Sequence, residues 1–129
     1  MASSAQFLLK IETAQREMTV PGSGSDMLIG VVEVNRDFMV TYDIDADDIT
    51  LKVGLRSATD SKVSGVSDVE CTEVDGSLSR FYRFLITIPT GTTVGDYFVV
   101  AYIDETIETD SGDIKSSKIS AIACPVILK

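Results

Sequence analysis

The stretch "SRFYRFLITIPTGTTVGDYFVVAYIDE", residues 79–105, decides the fold. Its first part alternates apolar and polar side chains, as a half-buried strand does, and places four large residues on one face: Tyr82, Phe84, Ile86 and Ile88. The turn-forming "PTGT" follows at 89–92. A second strand then runs from Asp96 to Ile103 and is apolar on both faces, which is typical of a central strand in a sheet.

The same two-residue period extends along the rest of the chain. It is clearest in "ITLKVGLR" at 49–56 and in "FMVTYDI" at 38–44, and weaker strands are predicted at 6–13, 27–34 and 66–74. The closing "ISAIACPVILK" has its apolar residues in phase. The strands predict a core that includes Phe38, Val40, Tyr42, Leu51, Val53, Phe84, Ile86, Val99 and Ala101.

Short runs of turn-forming residues separate these strands, and helical periodicity is almost absent. This punctuation indicates an all-β domain: an antiparallel, immunoglobulin-like β-sandwich of seven to eight strands. A closed barrel is the alternative. A length of 129 residues fits a single domain that spans residues 1–129.

Charge and hydropathy narrow the classes of partner. Twenty Asp and Glu against eleven Lys and Arg give a net charge of −9, which disfavours nucleic acid and anionic membranes. No stretch approaches the roughly 20 apolar residues of a membrane helix, so we expect no membrane insertion. No signal peptide is recognisable. The sequence therefore predicts a soluble protein and leaves its location open, with a virion or an extracellular assembly as candidates.

Tyr97 follows Gly95 at the start of the central strand. In immunoglobulin-like sandwiches a tyrosine at the start of the sixth strand pins the preceding corner through its hydroxyl group. We therefore expect Tyr97 to be a structural residue.

The pattern from "VEVNRDFMVTYDI" through "ITLKVGLRS" and "GDYFVVAYIDETIETDSGDIKSSKISAIACPVIL" resembles bacterial cell-adhesion-related (CARDB-type) immunoglobulin-like domains over roughly residues 31–128. That family shows a Gly-x-Tyr strand that runs into Asp and an acidic loop, and then a last strand. The resemblance implies an immunoglobulin-like fold and an adhesive module.

Catalytic chemistry finds no support in the residues. The chain has no histidine, which removes the commonest general base and histidine ligation of zinc. The glycine-rich "PGSGSD" at 21–26 lacks the Gly-Lys-Ser/Thr ending of a phosphate-binding loop. The sequence predicts a protein that is not an enzyme and that needs no cofactor, with calcium as the exception considered next.

Acidic residues gather in three groups, at 43–48, 68–75 and 104–113. In immunoglobulin order, the loops after the second, fourth and sixth core strands emerge at one end of the sandwich. Calcium takes six to eight oxygen ligands from such loops. The candidate ligands are Asp45, Asp47, Asp48, Asp104 and Asp110. The alternative is a hydrated acidic end that keeps the protein soluble.

The two cysteines, Cys71 and Cys124, lie 53 positions apart. Cys124 is in phase with apolar neighbours and fits a small buried side chain. Two free thiols, an intrachain disulfide and a bond between subunits are the alternatives, and a disulfide requires α-carbons within roughly 7 Å.

The N-terminal residues suggest association. In "QFLLKIETAQ", Phe7, Leu9 and Ile11 share one strand face and Leu8 lies on the other. Residues 1–20 are a candidate exchange strand that docks on a neighbour's sheet edge, with 21–26 as a hinge or a plain loop. The alternative is an ordinary first strand. If exchange occurs, we expect removal of residues 1–20 to leave a folded remainder that no longer assembles.

These observations favour a non-catalytic structural subunit that assembles with copies of itself in a filament, a surface layer or a virion. The alternative is an adhesive or ligand-binding module with calcium or a glycan at the acidic end.

Overall fold

The computed structural model describes residues 8–41, 50–78, 80–103, 107–109, 112–114 and 122–129, and most of them lie in two sheets. The four-stranded sheet has the order β1 (Leu8–Thr13), β3 (Ser25–Val34), β7 (Phe81–Pro89) and β6 (Thr72–Glu73). The five-stranded sheet has the order β2 (Glu17–Met18), β11 (Ile122–Leu128), β8 (Gly95–Ile103), β4 (Leu51–Ser57) and β5 (Val69–Glu70). A hairpin of β9 (Ile107–Thr109) and β10 (Gly112–Ile114) stands apart from both sheets.

The strand order is that of an immunoglobulin-like sandwich. Neighbouring strands pair antiparallel, except that β2 runs parallel to β11, so the first strand of the fold is divided between the two sheets. The predicted fold class is therefore confirmed. The described strands are more numerous than predicted because three of them have only two residues and two form the separate hairpin.

The core lies between the sheets and is built by the two-residue alternation. Six of the predicted core residues are buried with at most 2% of their surface exposed: Leu51, Val53, Phe84, Ile86, Val99 and Ala101. Gly30 lies directly opposite Phe84. A Cβ atom at position 30 would overlap the Phe84 ring, so the absence of a side chain there makes room for the largest fully buried residue.

The predicted strand at 38–44 is wrong over its described residues, because Arg36–Thr41 form the helix α1. Asn35 precedes the helix and Asp37 lies in its first turn, and both residue types favour a helix N-terminus. The helix reverses the predicted faces: Met39 is buried, whereas Val40 is 65% exposed. Phe38 lies in α1, but its side chain is not among those described, and Tyr42 lies outside the described residues.

The predicted strand at 66–74 is divided in the structure. β5 pairs with β4 in one sheet and β6 pairs with β7 in the other, so the chain crosses between the sheets at Cys71. The Cys71 amide donates to the Leu51 carbonyl at 2.8 Å, which fixes this crossing beside the start of β4.

The sandwich has two ends, which we call the upper and the lower pole. At the upper pole β3 ends and β7 begins, and the Val34 amide donates to the Arg80 carbonyl at 2.8 Å. β4 begins and β8 ends at the same pole, because Leu51 pairs with Ile103 and also contacts the crossing at Cys71. At the lower pole Ser25 pairs with Pro89. Among the described residues, no helix has the length and apolar character needed to cross a bilayer.

Candidate functional site: the N-terminal edge

The N-terminal edge of the sandwich is formed by residues 8–20, which we call the edge segment. Its first strand, β1, pairs with β3, and its second, β2, pairs with β11 in the other sheet. Among the side chains that the structure describes, β1 buries Ile11, which is 7% exposed, and β2 buries Met18, which is 5% exposed. The edge segment therefore closes both sheets at once.

Side-chain and backbone hydrogen bonds hold the turn between β1 and β2. The Ala14 amide donates to the Ile29 carbonyl at 2.8 Å, and the Gln15 amide group bridges β3 by donating to Met27 and accepting from Ile29. The Thr13 hydroxyl donates to the Gln15 carbonyl at 2.7 Å. β1 and β2 consequently form one connected unit.

One loop, which includes the last two residues of the edge segment and runs over 19–24, joins β2 to β3 and so connects the segment to the rest of the chain. Gly22 and Gly24 would meet no atom with an added Cβ, and Gly24 has a φ of +68°, which favours glycine. The loop is anchored at its ends: the Val20 amide donates to Lys129 and the Thr90 amide donates to Gly24. The predicted hinge or loop at 21–26 is thus a loop up to Gly24, and β3 begins at Ser25.

Of the predicted assembly residues, Ile11 packs in the core of its own domain. Leu8 and Leu9 lie in β1, but their side chains are not among those described, and Phe7 lies outside the described residues. Within one chain the edge segment is therefore an ordinary first strand, the alternative that the sequence left open. The prediction of a folded remainder after removal of residues 1–20 is not tested by the structure, but the burial of Ile11 and Met18 leads us to expect that the truncated domain unfolds.

A groove of about 620 Å³ runs between β1 and β11 along this edge. Its lining residues come from the edge segment and from β11: Lys10, Ile11, Glu12, Thr13, Arg16, Cys124, Pro125 and Ile127. Arg16 and Ile127 are neighbours near the lower pole, because the Ile127 amide donates to the Arg16 carbonyl at 2.9 Å. The groove therefore extends along one side of the sandwich toward its lower pole.

Pro125 closes the β11 wall of the groove to strand pairing. The amides of Ile127 and Lys129 both point toward β2, because they donate to Arg16 and Met18. Pro125 is in the same phase of the strand and has no amide hydrogen. The β2–β11 ladder accordingly stops at Ile127. A proline inside an apolar strand was the sequence signal for this protected edge, and the sequence reasoning did not use it.

The opposite edge of the five-stranded sheet is fastened by side chains. Arg56 on β4 makes two hydrogen bonds of 2.8 Å to the Asp68 carboxylate, and the Tyr102 hydroxyl donates to the same carboxylate at 2.5 Å. The Arg56 and Asp68 side chains are only 11% and 12% exposed. A Cβ atom at position 54 would overlap this carboxylate, so Gly54 provides the space in which Asp68 lies.

This network shifts the pKa values of its members. Hydrogen bonding to Arg56 lowers the pKa of Asp68 to about 2, although burial acts in the other direction. Burial, with the adjacent carboxylate, raises the pKa of Tyr102 to about 12. The sequence placed Asp68 in the acidic group at 68–75 and assigned it no role, and the structure shows it as a paired residue beside β5. Its partner Arg56 is twelve positions away, which no local pattern reveals.

Tyr97 lies at the start of β8 and is 8% exposed. Its hydroxyl donates to the Thr93 carbonyl at 2.6 Å. This geometry matches the tyrosine corner of immunoglobulin-like domains, in which the hydroxyl group bonds to the backbone a few residues upstream. Tyr97 thus joins β8 to the turn that precedes it.

Both cysteines are free and half-buried in the structure. Cys71 lies at the crossing between the sheets, and burial raises the pKa of its thiol to about 12, which makes it a poor nucleophile. The Cys124 sulfur is 3.9 Å from the Thr13 hydroxyl, at the bottom of the groove. The Cys71 thiol therefore lacks the lowered pKa that a reactive cysteine requires.

The candidate calcium ligands Asp45, Asp47, Asp48, Asp104 and Asp110 all lie outside the described residues. In the part of the chain that the structure describes, no three metal-ligating side chains converge. In the sequence, Asp45, Asp47 and Asp48 lie between Thr41 and Thr50, Asp104 follows Ile103, and Asp110 lies between β9 and β10. The calcium site remains a prediction.

No protein-family model matches this chain, and no curated protein matches it. Among solved structures, the chain is similar to AggA, the major subunit of aggregative adherence fimbriae type I from Escherichia coli. The two are 11% identical, with a TM-score of 0.43, over 93% of this chain and 92% of that chain. A similarity of this degree does not assign a function to the chain.

Proposed function

We propose that this protein is a non-catalytic structural subunit that assembles with copies of itself by exchanging the edge segment, residues 8–20. The observation that carries the proposal is the way this segment is attached. It fills a place in each of the two sheets, with Ile11 and Met18 buried, yet only the loop at 19–24 connects it to the domain.

Exchange is inexpensive in free energy because it preserves the contacts. The ladder to β3, the bonds to β11 and the two buried side chains are the same whether the segment belongs to its own domain or to a neighbour. Only the path of the connecting loop differs between the two states. Gly22 and Gly24 stand in open space, so this loop tolerates a changed path.

The groove leaves the outer edge of β1 accessible for strand exchange with a neighbouring copy. β1 is the outermost strand of its sheet, and β2 pairs with only two residues of β11. The absence of histidine and the raised pKa of Cys71 give the described residues no obvious catalytic group. The same composition is consistent with a subunit whose work is association.

Disulfide trapping tests the proposal. Glu12 on β1 lies directly opposite Val31 on β3, and cross-strand pairs of this kind have α-carbons close enough for a disulfide. In a chain with Cys71→Ala and Cys124→Ala, the variant Glu12→Cys/Val31→Cys forms its disulfide within one chain if the edge segment pairs with β3 of its own domain. If the segment is exchanged, oxidation joins different chains into a covalent ladder on a non-reducing gel.

The matched control is Thr72→Cys/Arg83→Cys in the same background. These two residues lie directly opposite on β6 and β7, and both are exposed. Their bond should stay within one chain, because neither strand belongs to the edge segment. A ladder from the 12–31 pair with none from the 72–83 pair supports exchange. Intrachain bonds from both pairs at every protein concentration would overturn it.

A further inference from the structure

We infer that the Gln15 side chain caps the lower half of the β3 edge and so prevents a second copy of the protein from pairing with β3 there. The cap is an autoinhibitory contact built into the fold. The inference does not rest on strand exchange, because Gln15 belongs to the edge segment and covers β3 whichever copy supplies that segment.

β3 is longer than the strand that covers it. It runs from Ser25 to Val34, whereas β1 pairs only with Gly30–Val34. On the other side, β7 pairs with β3 from Ser25 onward. Among the described residues, no strand therefore lies beside Ser25–Ile29 on the side of β1.

This uncovered part of the edge has the properties of a strand-pairing site. Ile29 directs its backbone groups toward the edge, because its carbonyl accepts from the Ala14 amide, and Met27 has the same orientation two residues earlier in the strand. The side chains of Met27 and Ile29 are 38% and 44% exposed, and Leu85, which is 51% exposed, lies directly opposite Ile29 on β7. An unpaired edge beside exposed apolar side chains is a template for another strand.

The Gln15 side chain occupies this template. Its Nε2 donates to the Met27 carbonyl at 2.9 Å, and its Oε1 accepts from the Ile29 amide at 3.2 Å. One side-chain amide thus supplies the donor and the acceptor that a residue of an added strand would supply. The Asp26 carboxylate accepts from the Met27 amide at 2.8 Å. The backbone N–H and C=O groups of Met27 and Ile29 therefore all have partners within the chain.

The strand that the cap excludes is the same edge of a second copy. In an antiparallel pair centred on Met27, Ser25 of one copy lies opposite Ile29 of the other, and Asp26 lies opposite Leu28. Such a pair brings no like charges directly opposite each other within Ser25–Ile29. The net charge of −9 opposes the approach of two copies, but salt at 0.15 M screens exposed charges beyond about 8 Å. The cap therefore acts where charge alone is a weak barrier.

Cross-linking at position 27 tests the cap. In the Cys71→Ala/Cys124→Ala background, Met27→Cys reports pairing of two β3 edges, because directly opposite residues have α-carbons close enough for a disulfide. With Gln15 in place we expect little covalent dimer. With Gln15→Ala we expect about ten times more, since two hydrogen bonds of the cap are lost. Leu85→Cys is the matched control, because it is exposed on β7 away from this edge and its yield should not change.

A second substitution separates capping from a loss of stability. Gln15→Lys also removes the acceptor for the Ile29 amide, and it lowers the net negative charge, but a lysine at a strand edge blocks pairing. We expect Gln15→Lys/Met27→Cys to give as little dimer as the chain that retains Gln15. Equal dimer yields from Gln15→Lys and Gln15→Ala, or no increase with Gln15→Ala, would overturn the inference.

Hydrogen exchange tests the cap in the unaltered chain, so the result does not depend on the folding of a variant. The Ile29 amide should exchange at least about tenfold more slowly than the loop amides at 22–23, after correction for intrinsic rates, because Gln15 holds it. Exchange of the Ile29 amide at the loop rate would contradict the cap. The 12–31 disulfide reports strand exchange in a chain that retains Gln15, so failure of the proposed function and failure of the cap are recognised separately.

Discussion

The two edges of the five-stranded sheet are closed in different ways. At the β5 edge, a largely buried hydrogen-bond network joins Asp68, which precedes β5, to Arg56 on β4 and Tyr102 on β8. At the β2 edge, a terminal segment of thirteen residues supplies the closure and is attached by one loop. The comparison shows that side-chain bonds hold one edge of the sheet, whereas a segment that one loop attaches closes the other.

The largest loss of stability is expected when the edge segment is deleted. Removal of residues 1–20 uncovers core surface that Ile11 and Met18 bury and leaves unpaired edges on β3 and β11. We expect the truncated chain to be unfolded or aggregated, as measured by circular dichroism and thermal melting.

A peptide of residues 8–20 gives the matched test in trans. Added to the truncated chain, it should restore the melting transition, because the ladder contacts do not require a covalent link. A truncated chain that is folded without the peptide would show that the edge segment is not part of the closure.

A smaller loss in the free energy of unfolding is expected from a substitution at the β5 edge. Asp68→Ala leaves the largely buried Arg56 without its carboxylate, and breaking such a pair costs about 3 to 5 kcal/mol. Denaturant unfolding measures the loss. Asp96→Ala, which removes an exposed acid on β8, is the control and should change the free energy of unfolding little.

The same pair predicts a pH dependence. The pKa of Asp68 falls from 3.8 to about 2 on folding, so the pair stabilises the protein above pH 3.8. This contribution is lost as the pH falls toward 2, when the folded carboxylate takes up a proton. The wild-type chain should lose it across that window, and Asp68→Ala should not. Parallel acid titrations of the two proteins would contradict the prediction.

Tyr97→Phe tests the corner at the turn before β8. The substitution removes the hydroxyl and leaves the Thr93 carbonyl without this donor, at an expected cost of about 1 to 3 kcal/mol. Assembly should be unaffected, because Tyr97 belongs to neither the edge segment nor the groove. An unchanged melting curve would show that the hydrogen bond contributes nothing to stability.

Calcium gives the smallest expected shift and tests the alternative function. If the predicted aspartates bind calcium, a tenfold excess over the dissociation constant stabilises the fold by about 1.4 kcal/mol. Thermal melting with calcium, and with magnesium as the control, measures this. An unchanged melting temperature at millimolar calcium would discard the site.

The sequence predicted the interior of the fold better than its edges. Alternation in β4, β7 and β8 identified buried residues such as Val53, Phe84 and Val99, because a half-buried strand fixes the period of its side chains. The same alternation misassigned α1, since four residues of "FMVT" fit a strand as well as a helical turn. The helix signal lay just before and within its first turn, in Asn35 and Asp37.

The site was less predictable because it depends on contacts between distant residues. The groove brings Arg16 beside Ile127, and the network brings Asp68 over Gly54. Both follow from strand order, which a local pattern does not contain. The N-terminal segment was identified as an edge strand, but its second half, which pairs with β11, was not expected.

The assembly state of the purified protein tests the central claim most directly. Sedimentation velocity over a wide range of concentrations, with negative-stain imaging of the same samples, measures it. The account predicts species larger than the 13.9 kDa monomer that grow with concentration and become covalent ladders in the oxidised 12–31 variant. A single 13.9 kDa species at every concentration would contradict it.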